Sequence, residues 1–149
     1  MLKRRYHDDC QALLRMIDKG DVKAFVTSFS LHSIEVILDK AGDTEPLKIF
    51  LSSISKFKGL SIYSTSINEE IAVIDEMNNG LDFDDALQAY VARKLNLKIV
   101  SFDRHFDGIQ GLTRIKPKMF YPPRHDRTAR NLFQILEWEY SFEASLNVW

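Results

Sequence analysis

Short β-prone segments alternate with longer runs of helical periodicity along most of this chain, and that alternation constrains the fold more than any other feature. The β-prone segments are residues 24–27 (Ala-Phe-Val-Thr), 60–63 (Leu-Ser-Ile-Tyr) and 97–100 (Leu-Lys-Ile-Val), with a last short strand expected at 112–115. Between them lie helical runs at 31–41, 45–57, 68–77 and 83–95. Leu47, Phe50, Leu51 and Ile54 form the stripe of the second of these, with Pro46 in its first turn. Ile67, Ile71 and Ile74 share one face of the third. Ser28 or Ser30 is the expected cap of the run at 31–41, Gly42 its stop, and Gly59 a break. Strands alternating with helices argue for an α/β domain built on a mainly parallel sheet. Folds of this kind usually open with a strand, but this chain opens with a helical run at 7–19, where Cys10, Leu13, Leu14 and Ile17 fall at helical spacing and Gly20 follows as the stop.

A length of 149 residues supports one ordinary core. With 45% hydrophobic and 28% charged residues, the composition is globular. Twenty basic against twenty-one acidic side chains leave a formal charge of −1, which argues against a surface built to coat a polyanion. Cys10 is the single cysteine, so no intramolecular disulfide forms. No apolar run approaches the ~20 residues of a membrane span. The basic start lacks an apolar stretch behind it, so it is not read as a secretory signal, and a cytoplasmic location is the expectation.

Three acids stand out by position. Glu35 lies at the edge of a helix that follows a strand, Asp85 in the first turn of the helix at 83–95, and Asp103 just past the strand at 97–100. In a parallel sheet such places lie along the carboxyl edge, where open α/β sheets bind ligands. Converging carboxylates repel unless they share a proton or a cation. All-oxygen ligation favours Mg²⁺ or Mn²⁺ over zinc, and such an ion polarises a phosphodiester and generates a hydroxide nucleophile. His7, His32, His105 and His125 have no zinc-type spacing, and there is no glycine-rich phosphate loop. Each acid also has a plain structural reading. Asp82 and Asp85 can be the cap and third residue of a helix start, Glu35 a boundary glutamate, and Asp103 the opening of a turn.

The segment Asp-Phe-Asp-Asp-Ala-Leu-Gln-Ala-Tyr-Val-Ala-Arg-Lys-Leu, running on through Ile-Val-Ser-Phe-Asp-Arg-His-Phe, resembles the C-terminal signature of PIN-domain ribonucleases, the group that includes VapC-like toxins. Upstream, Phe-Val-Thr-Ser-Phe-Ser-Leu-His-Ser-Ile-Glu-Val is similar to the strand and acidic helix of that family. The resemblance spans about residues 7–116. It implies a three-layer α/β/α fold and a Mg²⁺- or Mn²⁺-dependent endoribonuclease that leaves a 5′-phosphate and a 3′-hydroxyl. Its metal-site acids map to Glu35, Asp85 and Asp103, with Ser101 and Asp82 in support, and His105 stands where many relatives carry Asp. Expected partners are an RNA substrate, an antitoxin protein and, in many members, a second copy, with no membrane.

The family's first strand, with its Asp, has no counterpart here. That strand is normally central, so its loss is expected to leave a vacant position in the sheet and interior backbone groups unpaired, at about 1–3 kcal/mol each. Two expectations follow: a start upstream of Met1, or a decayed copy. Asp8 and Asp9 open a helix and are poor substitutes. The division expected is a PIN-like domain over 1–116 and a C-terminal extension over 117–149. Across that boundary Arg114, Lys116, Lys118, Arg124, Arg127 and Arg130 make a locally basic stretch with Phe120 and Tyr121 interleaved, as either an RNA contact or a solvated linker. Residues 128–139 read as helix, with Leu132, Phe133, Ile135, Leu136 and Trp138 apolar. Two further readings stay open: an inactive PIN-like remnant that binds a protein or RNA, and a flavodoxin- or receiver-like α/β module.

Overall fold

The structure, a computed structural model, describes residues 2–120 and 134–136. In chain order the elements are α1 (Leu2–Lys19), β1 (Ala24–Thr27), α2 (Ser28–Lys40), α3 (Thr44–Ile54), β2 (Leu60–Tyr63), α4 (Ile67–Met77), α5 (Phe83–Leu95), β3 (Lys98–Val100), β4 (Arg114–Ile115) and β5 (Gln134–Leu136). Short 3-10 turns lie at Arg104–Phe106 and Pro117–Phe120. The chain is a mixed α/β protein, and among the described residues no helix is long and apolar enough to cross a membrane.

All pairings in the five-stranded sheet are parallel, in the order β2-β1-β5-β3-β4. Side-chain alternation along the strands sends successive residues to opposite faces. Ala24, Val26 and Val100 point to a core shared with Leu13 and Ile17 of α1, Leu31, Ile34 and Leu38 of α2, and Phe50 of α3. Phe25, Tyr63 and Ile99 point the other way, to a core built on α5 with Val73 of α4 and Phe106. Helices thus cover both faces. From β1 the chain moves to one side of the sheet through α2 and α3, then returns past β1 to β3 through α4 and α5 on the opposite face. β1 and β3 therefore flank the position where strand order reverses.

That position is filled. β5 lies between them, with Ile135 opposite Phe25 on one side and Gln134, Ile135 and Leu136 opposite Lys98, Ile99 and Val100 on the other. The expected vacancy at the sheet's centre is thus corrected: no strand precedes α1 among the described residues, and a C-terminal segment occupies the place. The expected helix over 128–139 is corrected at Gln134–Leu136 for the same reason. Facing edges of β1 and β3 offer backbone donors and acceptors to an extended segment, and ladder pairing overrides a helical hydrophobic pattern. The rest of that stretch lies outside the described residues, as do Arg124 and Arg127.

Several boundaries differ from expectation. Thr27, not Ser28 or Ser30, caps α2, its hydroxyl accepting from the Ser30 N–H at 3.1 Å, because the helix begins directly at the strand's end. α3 stops at Ile54, and Lys56 and Phe57 make only turn-type hydrogen bonds. The Ile67, Ile71 and Ile74 face of α4 points outward, and the buried residue is Val73. Gly59 sits where no side chain fits: a Cβ there would lie 2.1 Å from the Val22 carbonyl oxygen.

Candidate metal centre

Asp85 is in the first turn of α5 and is buried. Asp82 caps this helix, accepting the Asp85 N–H at 3.0 Å, so the acid's backbone is fixed before its side chain does anything. The α5 start is held at the carboxyl edge by a link to α2. The Thr27 hydroxyl donates to Ser30 Oγ at 2.8 Å, and the Ser30 hydroxyl donates to Asp84 Oδ1 at 3.1 Å. Gln88 Nε2 donates to the same carboxylate oxygen at 3.3 Å. Burial pushes the Asp84 carboxyl above its usual range, while the hydrogen bonds from Gln88 and Ser30 pull against that shift.

Asp103 arrives from the other side of the reversal point. It follows β3 and caps the turn Arg104–Phe106, its Oδ1 accepting the His105 N–H at 2.8 Å. Ser101, buried at the end of β3, accepts the Asp103 N–H on its hydroxyl at 2.8 Å. The loop is fastened beneath by Arg114 of β4, which donates to the Ser101 carbonyl at 2.9 Å and forks onto Asp107 at 2.7 and 3.0 Å. This guanidinium holds the Asp107 carboxyl below its ordinary value.

These supports bring Asp85, Asp103 and His105 together, one ligand atom of each lying within 4.8 Å of the others. His105 Nδ1 is 3.2 Å from Asp103 Oδ1 and 3.9 Å from Asp85 Oδ2. Two carboxylates and an imidazole so arranged form a donor set fit for a divalent cation. Glu35 is not part of this group. Its carboxylate stands 2.9 Å from His32 Nδ1, on the same helix. It lies five residues beyond Ser30, about 7 Å further along α2 from the contact with α5. Asp82 and Ser101 touch the backbone of Asp85 and Asp103, respectively, rather than the group itself.

His105 was not singled out as a site residue from sequence. The signal was present: Asp103 and His105 are two apart directly after a strand, where an Asp side chain commonly hydrogen-bonds the backbone two residues on and so draws the two residues together. Asp84's tie to Ser30 joins residues far apart in sequence and has no local signal. Gln88 is buried on α5, and its Oε1 has no hydrogen-bond partner among the described residues. Comparison with protein-family models finds no match for the chain, nor does comparison with curated proteins or with solved structures.

Proposed function

We propose that the chain is a divalent-metal-dependent endoribonuclease of PIN type, acting through Asp85, Asp103 and His105. The observation that carries this reading is the convergence of those three side chains at the point where strand order reverses. Mg²⁺ or Mn²⁺ held by Asp85, Asp103 and His105 would supply Lewis acidity toward an RNA phosphodiester and an attacking water. The protein's part is to hold the donors. Asp82 and Ser101 fix the backbones that carry Asp85 and Asp103, and Arg114 keeps the intervening loop on the sheet. His105 Nδ1, 3.2 Å from Asp103 Oδ1 and 3.9 Å from Asp85 Oδ2, would be the third donor to that ion. A protein inhibitor of the antitoxin kind belongs to the same proposal.

Single-stranded RNA incubated with the full chain and Mn²⁺ tests it. Asp85→Ala and Asp103→Ala are each expected to lower cleavage by more than the roughly 10–100-fold that losing a merely supporting residue costs at metal sites. Cleavage undiminished in both variants would remove the assignment. The second reading, a remnant that binds without cleaving, is favoured by the presence of only two carboxylates in the group. Calorimetric titration with Mn²⁺ separates the two: a cleaving site takes up the ion and loses it in Asp85→Ala, whereas a remnant shows no uptake.

A further inference from the structure

Phe29 is the second residue of α2, at the same carboxyl edge as the acid group, and is 40% exposed. It is not a loose side chain. Its ring stands edge-on to that of Phe83, with centroids 5.6 Å apart and planes at 68°. Phe83 is the first residue of α5, two positions before Asp85, and Ser30, next to Phe29, donates to Asp84. The aromatic pair therefore joins the start of α2 to the start of α5, which carries Asp85. On the opposite flank, Arg104 sits between Asp103 and His105 with its side chain 87% exposed. It is 3.6 Å from an Asp107 carboxylate already held by Arg114.

We propose that Phe29, braced by Phe83, is a stacking platform for a base of single-stranded nucleic acid whose backbone passes the group of Asp85, Asp103 and His105. This rests on the nuclease reading and specifies its substrate. A base inside a duplex has both faces covered by its neighbours, so only an unpaired, splayed base can lie on a side chain. Every base has a π-face, so the contact tolerates sequence. With a formal charge of −1, the chain gains little from neutralising phosphates along a strand. Stacking supplies affinity without that charge, about 5- to 150-fold per base. Arg104 provides a cation for one phosphate beside the acids.

The test uses the full chain in EDTA, so that cleavage does not intervene, and reads fluorescence anisotropy with labelled oligo(rA), oligo(dA) and an abasic oligonucleotide of equal length. The wild type is expected to bind the base-bearing strands more tightly than the abasic one. Phe29→Ala is expected to weaken the base-bearing complexes by about 5- to 150-fold, leave abasic binding unchanged, and be rescued by Phe29→Trp. Equal binding of abasic and base-bearing strands by the wild type overturns the proposal, as does an equal loss on all probes in Phe29→Ala. If Phe29→Ala fails to fold, Phe29→Leu keeps an apolar contact with Phe83 but no π-face; retained preference for bases in that variant overturns the platform, and lost preference supports it. The two oligonucleotide sugars report whether the strand is RNA in particular. Base-dependent binding without any Mn²⁺-dependent cleavage removes the nuclease reading and leaves the platform standing.

Discussion

Asp84 and Asp85 are adjacent in sequence and differ in circumstance. Asp85 faces Asp103 and His105, while Asp84 is partly buried against Ser30 and Gln88. Because burial raises the Asp84 pKa in the folded state above its unfolded value, its ionised form is penalised by folding and its protonated form is not. The penalty is full above the folded pKa and fades as pH falls through it toward the unfolded value. Asp84→Asn keeps an oxygen to accept from Ser30 and Gln88 without the charge. It is therefore expected to raise stability toward urea at neutral pH, with the gain shrinking on acidification; a gain that grows toward acid contradicts the argument. His105 makes a different prediction. An imidazole suits Mn²⁺ better than Mg²⁺, whereas a carboxylate suits both. His105→Asp should lower the ratio of Mn²⁺- to Mg²⁺-supported cleavage. Paired rate measurements in the two ions check it, and an unchanged ratio places His105 outside the donor set.

Among the elements, β5 has much to hold and little length to do it with. It is three residues long and is the one link between the pair β2–β1 and the pair β3–β4. In a central strand each backbone N–H faces one neighbour or the other, so proline cannot be accommodated without losing a ladder bond. Ile135→Pro is expected to destabilise the protein by at least about 1–3 kcal/mol, the cost of leaving a buried partner unpaired. Thermal melting compared with the wild type measures this, and an unchanged midpoint would show that β5 contributes nothing to the sheet. The elements that could be read from sequence carry their own signals. Asp82 caps α5 as the spacing to Asp85 suggests, and Gly20 takes the positive φ expected after a helix. β5 could not be read, because what makes it a strand is the open edges of β1 and β3 rather than its own pattern. The exposed Ile67, Ile71 and Ile74 show the same limit from the other side: periodicity finds a helix face but not which way it turns.

At the scale of the whole molecule, alternation in the sequence implied a parallel sheet, and the sheet brings Asp85 and Asp103 to one edge despite their separation along the chain. That much followed from topology. The exclusion of Glu35 from the group did not, because it depends on where along α2 the helix meets α5, a packing contact made by Ser30. The place of β5 has a further consequence for how the protein comes into being. A nascent chain emerges from its amino end, so β1 to β4 leave the ribosome before the strand that belongs in their midst. Until it arrives, two half-sheets present bare inner edges, open to pairing with neighbouring polypeptides. Completion waits on a contact between distant parts of the sequence, the kind that closes slowly. A chaperone that shields strand edges during translation would find its task concentrated in that interval.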